Sequence, residues 1–139
     1  MAHILGTGIA TLDIINTVDG YPPEDAEVRV LVQQRRRGGN CTNTLAVLAQ
    51  LGHRCTFGGV IADEPDGRII LDDLARRHID LGAVRREARG KTPTSYVALN
   101  RRNGSRTIIH YRDLPEFGWE DFAVINLKPY DWLYSRMEH

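Results

Sequence analysis

The residues Gly38-Gly39-Asn40-Cys41-Thr42-Asn43 carry the densest chemistry in this sequence. Two successive glycines free the backbone for positive φ and let a ligand approach without a Cβ in the way. Asn40 and Asn43 stand three residues apart, near one face of a first helical turn, and each amide can donate and accept. A helix N-terminus adds backbone N–H groups and a partial positive charge, which suit hydroxyl oxygens and phosphate. The chemistry this predicts is a polyol-binding corner. A capped helix after a tight turn is the plainer alternative for the same residues.

Such a corner needs a strand before it and a helix after it. Val28, Val30 and Val32 have period two and predict a strand over 27–34. Leu45, Leu48 and Ala49 predict a helix with Asn40 as N-cap and Gly52 as its stop. Upstream, residues 4–9 read as a short buried strand and 12–18 as an extended segment, followed by the turn Asp19-Gly20-Tyr21-Pro22-Pro23. Downstream, 55–61 reads as a second core strand. A helix then carries Ile70, Leu71, Leu74, Ala75 and His78 and ends at Ile79-Asp80. Residues 94–100 and 105–111 flank Asn103-Gly104 and predict a hairpin. A short helix starts at Trp119, and 131–135 reads as one more strand. Alternating strands and helices predict an α/β layer with parallel strands, and a chain that stops on such a strand is expected to be an interruption.

The bulk properties exclude several classes. The 139 residues make one domain-sized unit, and 18 basic residues balance 18 acidic ones. A net charge of zero offers no field for nucleic acid or anionic lipid, so the arginine run is read locally: Arg35-Arg36 as a solvated face at the strand end and Arg37 as a support of the glycine turn. No stretch approaches the roughly 18 apolar residues of a spanning helix, and no basic, apolar leader opens the chain. Cys41 and Cys55 lack metal-ligand spacing, and the five histidines form no ligand set, so no metal site is expected within the chain. A cytoplasmic protein without membrane or nucleic-acid partners is the expectation. A dinucleotide fingerprint fails at Thr11, where a third glycine would be needed.

Asp13 after a glycine-containing first strand, Gly38-Gly39-Asn40 with Asn43, Val60-Ile61-Ala62-Asp63 with Gly67, and Gly104-Ser105-Arg106-Thr107-Ile108 resemble the ribokinase-like (PfkB-type) sugar kinases. Leu12-Asp13-Ile14-Ile15, Tyr21-Pro22, Glu24-Asp25, Arg37-Gly38-Gly39-Asn40-Cys41-Thr42-Asn43 and Ile109-His110-Tyr111 are most similar to its ketohexokinase-like branch. The resemblance implies a three-layer α/β/α sheet of ribokinase type with a small β-lid, built here from segments 12–34 and 95–111. It implies ATP-dependent phosphorylation of a sugar hydroxyl, fructose to fructose 1-phosphate in that branch, with Mg2+ as the nucleotide's partner. It also implies a homodimer clasped through the lids.

Residue by residue, the resemblance implies that Asp13 accepts from vicinal hydroxyls, a charge-assisted contact. It implies that Gly39, Asn40 and Asn43 bind the remaining hydroxyls, and that Ser95 lines the pocket from the lid. Asp25 would reach into the partner subunit's site. Arg106 would face the transferring phosphate, where fixed positive charge stabilises the transition state. The family's Gly-Ala-Gly-Asp motif, which supplies the catalytic base, and its nucleotide loops are missing from this sequence. The last residues, 134–139, also depart from the expected Glu-Gly-Arg-like segment. The expectation is therefore the N-terminal part of such a kinase, spanning 1–139 and inactive by itself. The alternative is a non-catalytic sugar-binding or dimerisation module derived from one.

Overall fold

The computed structural model describes residues 1–135. Its core is built on β1 (His3–Thr7), which lies between β4 (Arg54–Gly58) and β9 (Trp132–Ser135) and runs parallel to both. α1 (Asn40–Gln50) covers β1 and β4 with Cys41, Leu45 and Ala46. α2 (Pro65–Arg76) contributes Ile70 and Leu74 to the same core, together with Phe57, Ile61 and Ile79. Burying each such side chain stabilises the fold by about 1.5–3 kcal/mol relative to leaving it in water. α2 starts cleanly because Pro65 occupies its first turn and the Glu64 carboxylate accepts from the Asp66 N–H at 3.1 Å.

A second, four-stranded sheet has the order β3 (Val32–Gly38), β2 (Thr11–Val18), β7 (Lys91–Asn100), β8 (Arg106–Asp113). β2 and β7 are parallel, whereas β3 and β8 join antiparallel at the edges. The β7–β8 hairpin turns at Asn103-Gly104. Gly104 has φ 75°, and the Asn103 side-chain oxygen Oδ1 accepts from the Ser105 N–H at 2.9 Å. β5 (Val60–Ala62) and β6 (Arg85–Glu87) form a separate parallel pair, and α3 (Trp119–Ala123) is a short surface helix.

The structure corrects the sequence reading at several points. The strand expected over 27–34 is displaced to Val32–Gly38, and Val28 and Val30 lie outside it. Its position is set by backbone pairing with β2, from Thr17↔Val32 to Thr11↔Gly38, and period-two apolar residues do not override that register. The strand expected over 55–61 breaks at Gly59 into β4 and β5, which belong to different sheets. α2 stops at Arg76, and His78 adopts φ 61°, a left-handed reversal after which the Ile79 N–H bonds the Leu74 carbonyl at 3.1 Å. α1 is capped by Gly39, not Asn40, which is the first helical residue. β6 carries no pattern that would have announced it. Residues 136–139, which include most of the divergent tail, lie outside the described residues.

Candidate functional site

β2 places Asp13 half-buried at the level of the glycine turn. The Thr11 hydroxyl donates to Asp13 Oδ1 at 2.9 Å and fixes the carboxylate's rotation. Across the sheet, Asp13 is the register partner of Arg36 on β3 and of Ser95 on β7, and Ser95 is the partner of His110 on β8. Register partners share a face, so Arg36, Asp13, Ser95 and His110 form one polar row. Ser95 Oγ and His110 Nδ1 are 3.0 Å apart, within hydrogen-bond distance.

The row meets the glycine turn at Gly38. A Cβ there would overlap the Asp13 carboxylate, so only glycine lets Asp13 sit where it does. At Gly39, φ is 103° and a Cβ would strike the Ile9 carbonyl oxygen, so this position is closed to other residues twice over. α1 begins at once, with no side-chain cap and no acidic residue in its first turn. The helix end therefore keeps its partial positive charge close to the Asp13 corner.

The turn is braced from the other face of β3. Arg37 donates from Nε to Asp73 Oδ2 at 2.6 Å, and from Nη1 to Thr42 Oγ1 at 2.7 Å and to Asn43 Oδ1 at 2.9 Å. Thr42 in turn donates to the Gly38 carbonyl at 2.8 Å. Burial pushes the Asp73 carboxyl up, but the hydrogen bonds and charges of Arg37 and Arg77 outweigh it and hold the group below the usual range. At the head of α2, burial likewise opposes ionisation of Glu64. Bonds from the Thr92 hydroxyl, the Asp66 N–H and Lys91 prevail and lower it to about 2.

The structure thus brings Asp13, Gly39 and Ser95 around one corner, with Asn40 and Asn43 in the helical turn that opens beside it. Arg106 and Asp25 stand apart from it. Arg106 is exposed four residues along β8 from His110, about 13 Å at the strand rise. Asp25 is exposed on the loop between β2 and β3, with φ 62°. Sequence reading missed Thr11, Thr42, Asp73 and His110. Of these, only Thr42, inside the glycine–asparagine stretch, gave a local signal.

A cleft of about 480 Å³ opens beside the corner at the C-terminal ends of β1 and β9, lined by Thr7, Ile9, Phe117, Trp119 and Ser135 among others. Ile9, whose carbonyl lies against Gly39, borders both. Ligands of parallel sheets bind at this end of the strands. Among the described residues, no group of three or more His, Cys, Asp or Glu could hold a metal ion, and no helix is long and apolar enough to cross a membrane.

Comparison with known proteins gives a consistent result. The family described as "pfkB family carbohydrate kinase" matches residues 1–131. Ketohexokinase of Mus musculus is 41% identical over 133 residues, which is 95% of this chain and 45% of that protein. An ATP-dependent ribose-1-phosphate kinase of Halopiger xanaduensis is 29% identical over 72% of this chain and 34% of its own length. Among solved structures, ribokinase from Thermotoga maritima superposes with a TM-score of 0.76 at 19% identity, covering 96% of this chain and 44% of that one. Arabidopsis thaliana ribokinase, solved with ribose and ATP, gives 0.70 at 24% identity over 79% of this chain and 36% of that one. At these identities the structural likeness speaks to the fold, which is that of ribokinase. The chain spans less than half the length of these relatives.

Proposed function

This chain belongs to the pfkB family of carbohydrate kinases, and from that premise we propose that it forms the sugar-binding corner and lid of an ATP-dependent sugar kinase. The reaction proposed is phosphorylation of fructose to fructose 1-phosphate, following the similarity to a ketohexokinase. The observation that carries the reading is the Asp13 carboxylate seated on Gly38, with a helix N-terminus beginning two residues later. A polyol needs an acceptor for its hydroxyl protons and donors for its oxygens, and this corner supplies both.

In the mechanism that follows, Asp13 accepts from adjacent hydroxyls and orients the sugar, while the Gly39 turn and the first turn of α1, with Asn40 and Asn43, supply donors. Ser95, opposite Asp13, closes the corner from the lid. Arg106 is proposed to meet the transferred phosphate when the lid moves over the body, because its place at the far end of β8 keeps it away from the open corner. ATP and Mg2+ are assigned to none of these residues. ATP supplies the phosphoryl group, and this chain's part is to hold and orient the acceptor.

The lid is proposed to pair with a second copy in the cytoplasm. Ile108 and Ile109 are 57% and 67% exposed on its outer strand, which is costly for a free edge. Asp25, on the exposed loop, would then serve the partner's corner. The test of the reading is an assay of the protein from its native source with fructose and ATP. Formation of fructose 1-phosphate, lost in Asp13→Ala, supports it. Turnover unchanged by that substitution would overturn it.

A further inference from the structure

The Arg37 side chain is only 5% exposed, and its guanidinium reaches across to both long helices. Burying a guanidinium is costly unless every donor direction finds a partner, and a tight turn alone does not require one. Arginine donates and never accepts. The Asn43 atom that faces it must therefore be the carbonyl oxygen, at 2.9 Å from Nη1, and the amide NH2 is turned away from Arg37. The same nitrogen donates to Thr42, which donates onward to the Gly38 carbonyl, so one guanidinium sets both the glycine turn and the amide of the next helical turn. Asp73 anchors it from α2 and is itself held by Arg77 at 3.0 Å.

We infer that Arg37 is a positioning residue that fixes Asn43 as a hydrogen-bond donor, so that ligand oxygens at the corner accept from Asn43 Nδ2 while neighbouring hydroxyls donate to Asp13. The inference rests on the sugar-corner reading for its ligand, and on the Arg37 contacts alone for the orientation. Lysine could neutralise Asp73, but its three donors radiate from a single nitrogen, whereas Arg37 meets Asp73 from Nε and Thr42 and Asn43 from Nη1, a fork that lysine does not reproduce.

The test uses Arg37→Lys and Asn43→Asp in the 139-residue chain, followed by thermal melting and ¹⁵N–¹H spectra with and without fructose. Without sugar, Arg37→Lys moves the Asn43 side-chain NH2 resonances while the melting midpoint stays within about 4 °C, the shift expected for roughly 1 kcal/mol. With sugar, its Kd for fructose rises about tenfold, the equivalent of one lost hydrogen bond. Asn43→Asp still accepts from Arg37 but cannot donate, and it loses fructose affinity to at least that extent without losing stability. Unmoved Asn43 resonances in Arg37→Lys, or wild-type fructose affinity in either variant, would overturn the inference. A wild-type chain that binds no fructose would overturn the sugar-corner reading instead, and the ligand-free resonances would still decide what Arg37 does.

Discussion

The Asp13 carboxylate lies against the Cα of Gly38, in space that a Cβ on Gly38 would fill. The contact joins β2 of the four-stranded sheet to the turn that opens α1, and it makes the shape of the corner depend on a missing side chain. Gly38→Ala is expected to displace Asp13 and to destabilise the fold by about 1–3 kcal/mol, the usual cost of overpacking a filled site. Gly82→Ala is the control, because its Cβ would meet nothing nearer than Asp80 Oδ1 at 3.4 Å. Melting curves of the two variants, with fructose titrations of each, check the difference.

Asp13→Asn keeps the shape of the side chain and removes its charge. Hydrogen bonds to an ionised group contribute about 1.5–3 kcal/mol, so fructose affinity is expected to fall by about one to two orders of magnitude with little change in melting temperature. Calorimetric or NMR titration measures this directly. Wild-type affinity in the variant would remove Asp13 from the site.

The site was legible where chemistry is local in sequence and obscure where it is not. The hairpin could be read from Asn103-Gly104, and the glycine corner from its own spacing, because a positive φ and an opening helix leave marks within a few residues. β3 could not be placed, since its residues are mostly polar and its position follows from backbone pairing with β2. The Arg37 brace was legible in part. Its place next to Gly38 marked it, among the three arginines, as the support of the glycine turn, but its anchor Asp73 lies 36 residues away and leaves no mark near it.

Acid should loosen the protein around α2. Glu64 is lowered from 4.5 to about 2, so the folded state binds this proton less readily than the unfolded chain. Its contribution is present in full above pH 4.5 and is lost as pH falls toward about 2, with Asp73 acting in the same direction. Glu64→Gln is expected to melt below wild type at pH 7 and to converge with it near pH 2. Parallel melting curves across that range would contradict the assignment.

On the proposed reading, the exposed apolar residues of β8, Ile108 and Ile109, drive self-association. Placing charge on this strand with Ile108→Arg and Ile109→Arg, one on each face of the sheet, is expected to shift sedimentation toward a monomer and leave the melting temperature nearly unchanged, since both positions already face water. A wild-type protein that is monomeric at high micromolar concentration would contradict the clasped dimer.

Arg106→Gln separates phosphate contact from sugar contact. In the active protein it is expected to lower kcat about a hundredfold or more with KM for fructose little changed, the pattern of an interaction made mainly in the transition state. An unchanged kcat with a raised KM would move Arg106 to the sugar.

The central claim, that a sugar occupies the corner between β2 and α1, is tested most directly by titrating fructose into the ¹⁵N-labelled chain. The account predicts saturable shifts at Gly39, at the Asn43 side-chain amide and at Asp13 and Ser95, with Gly104 and Gly52 unmoved. Shifts confined to Phe117 and Trp119 in the neighbouring cleft, or no saturable shift at all, would contradict it.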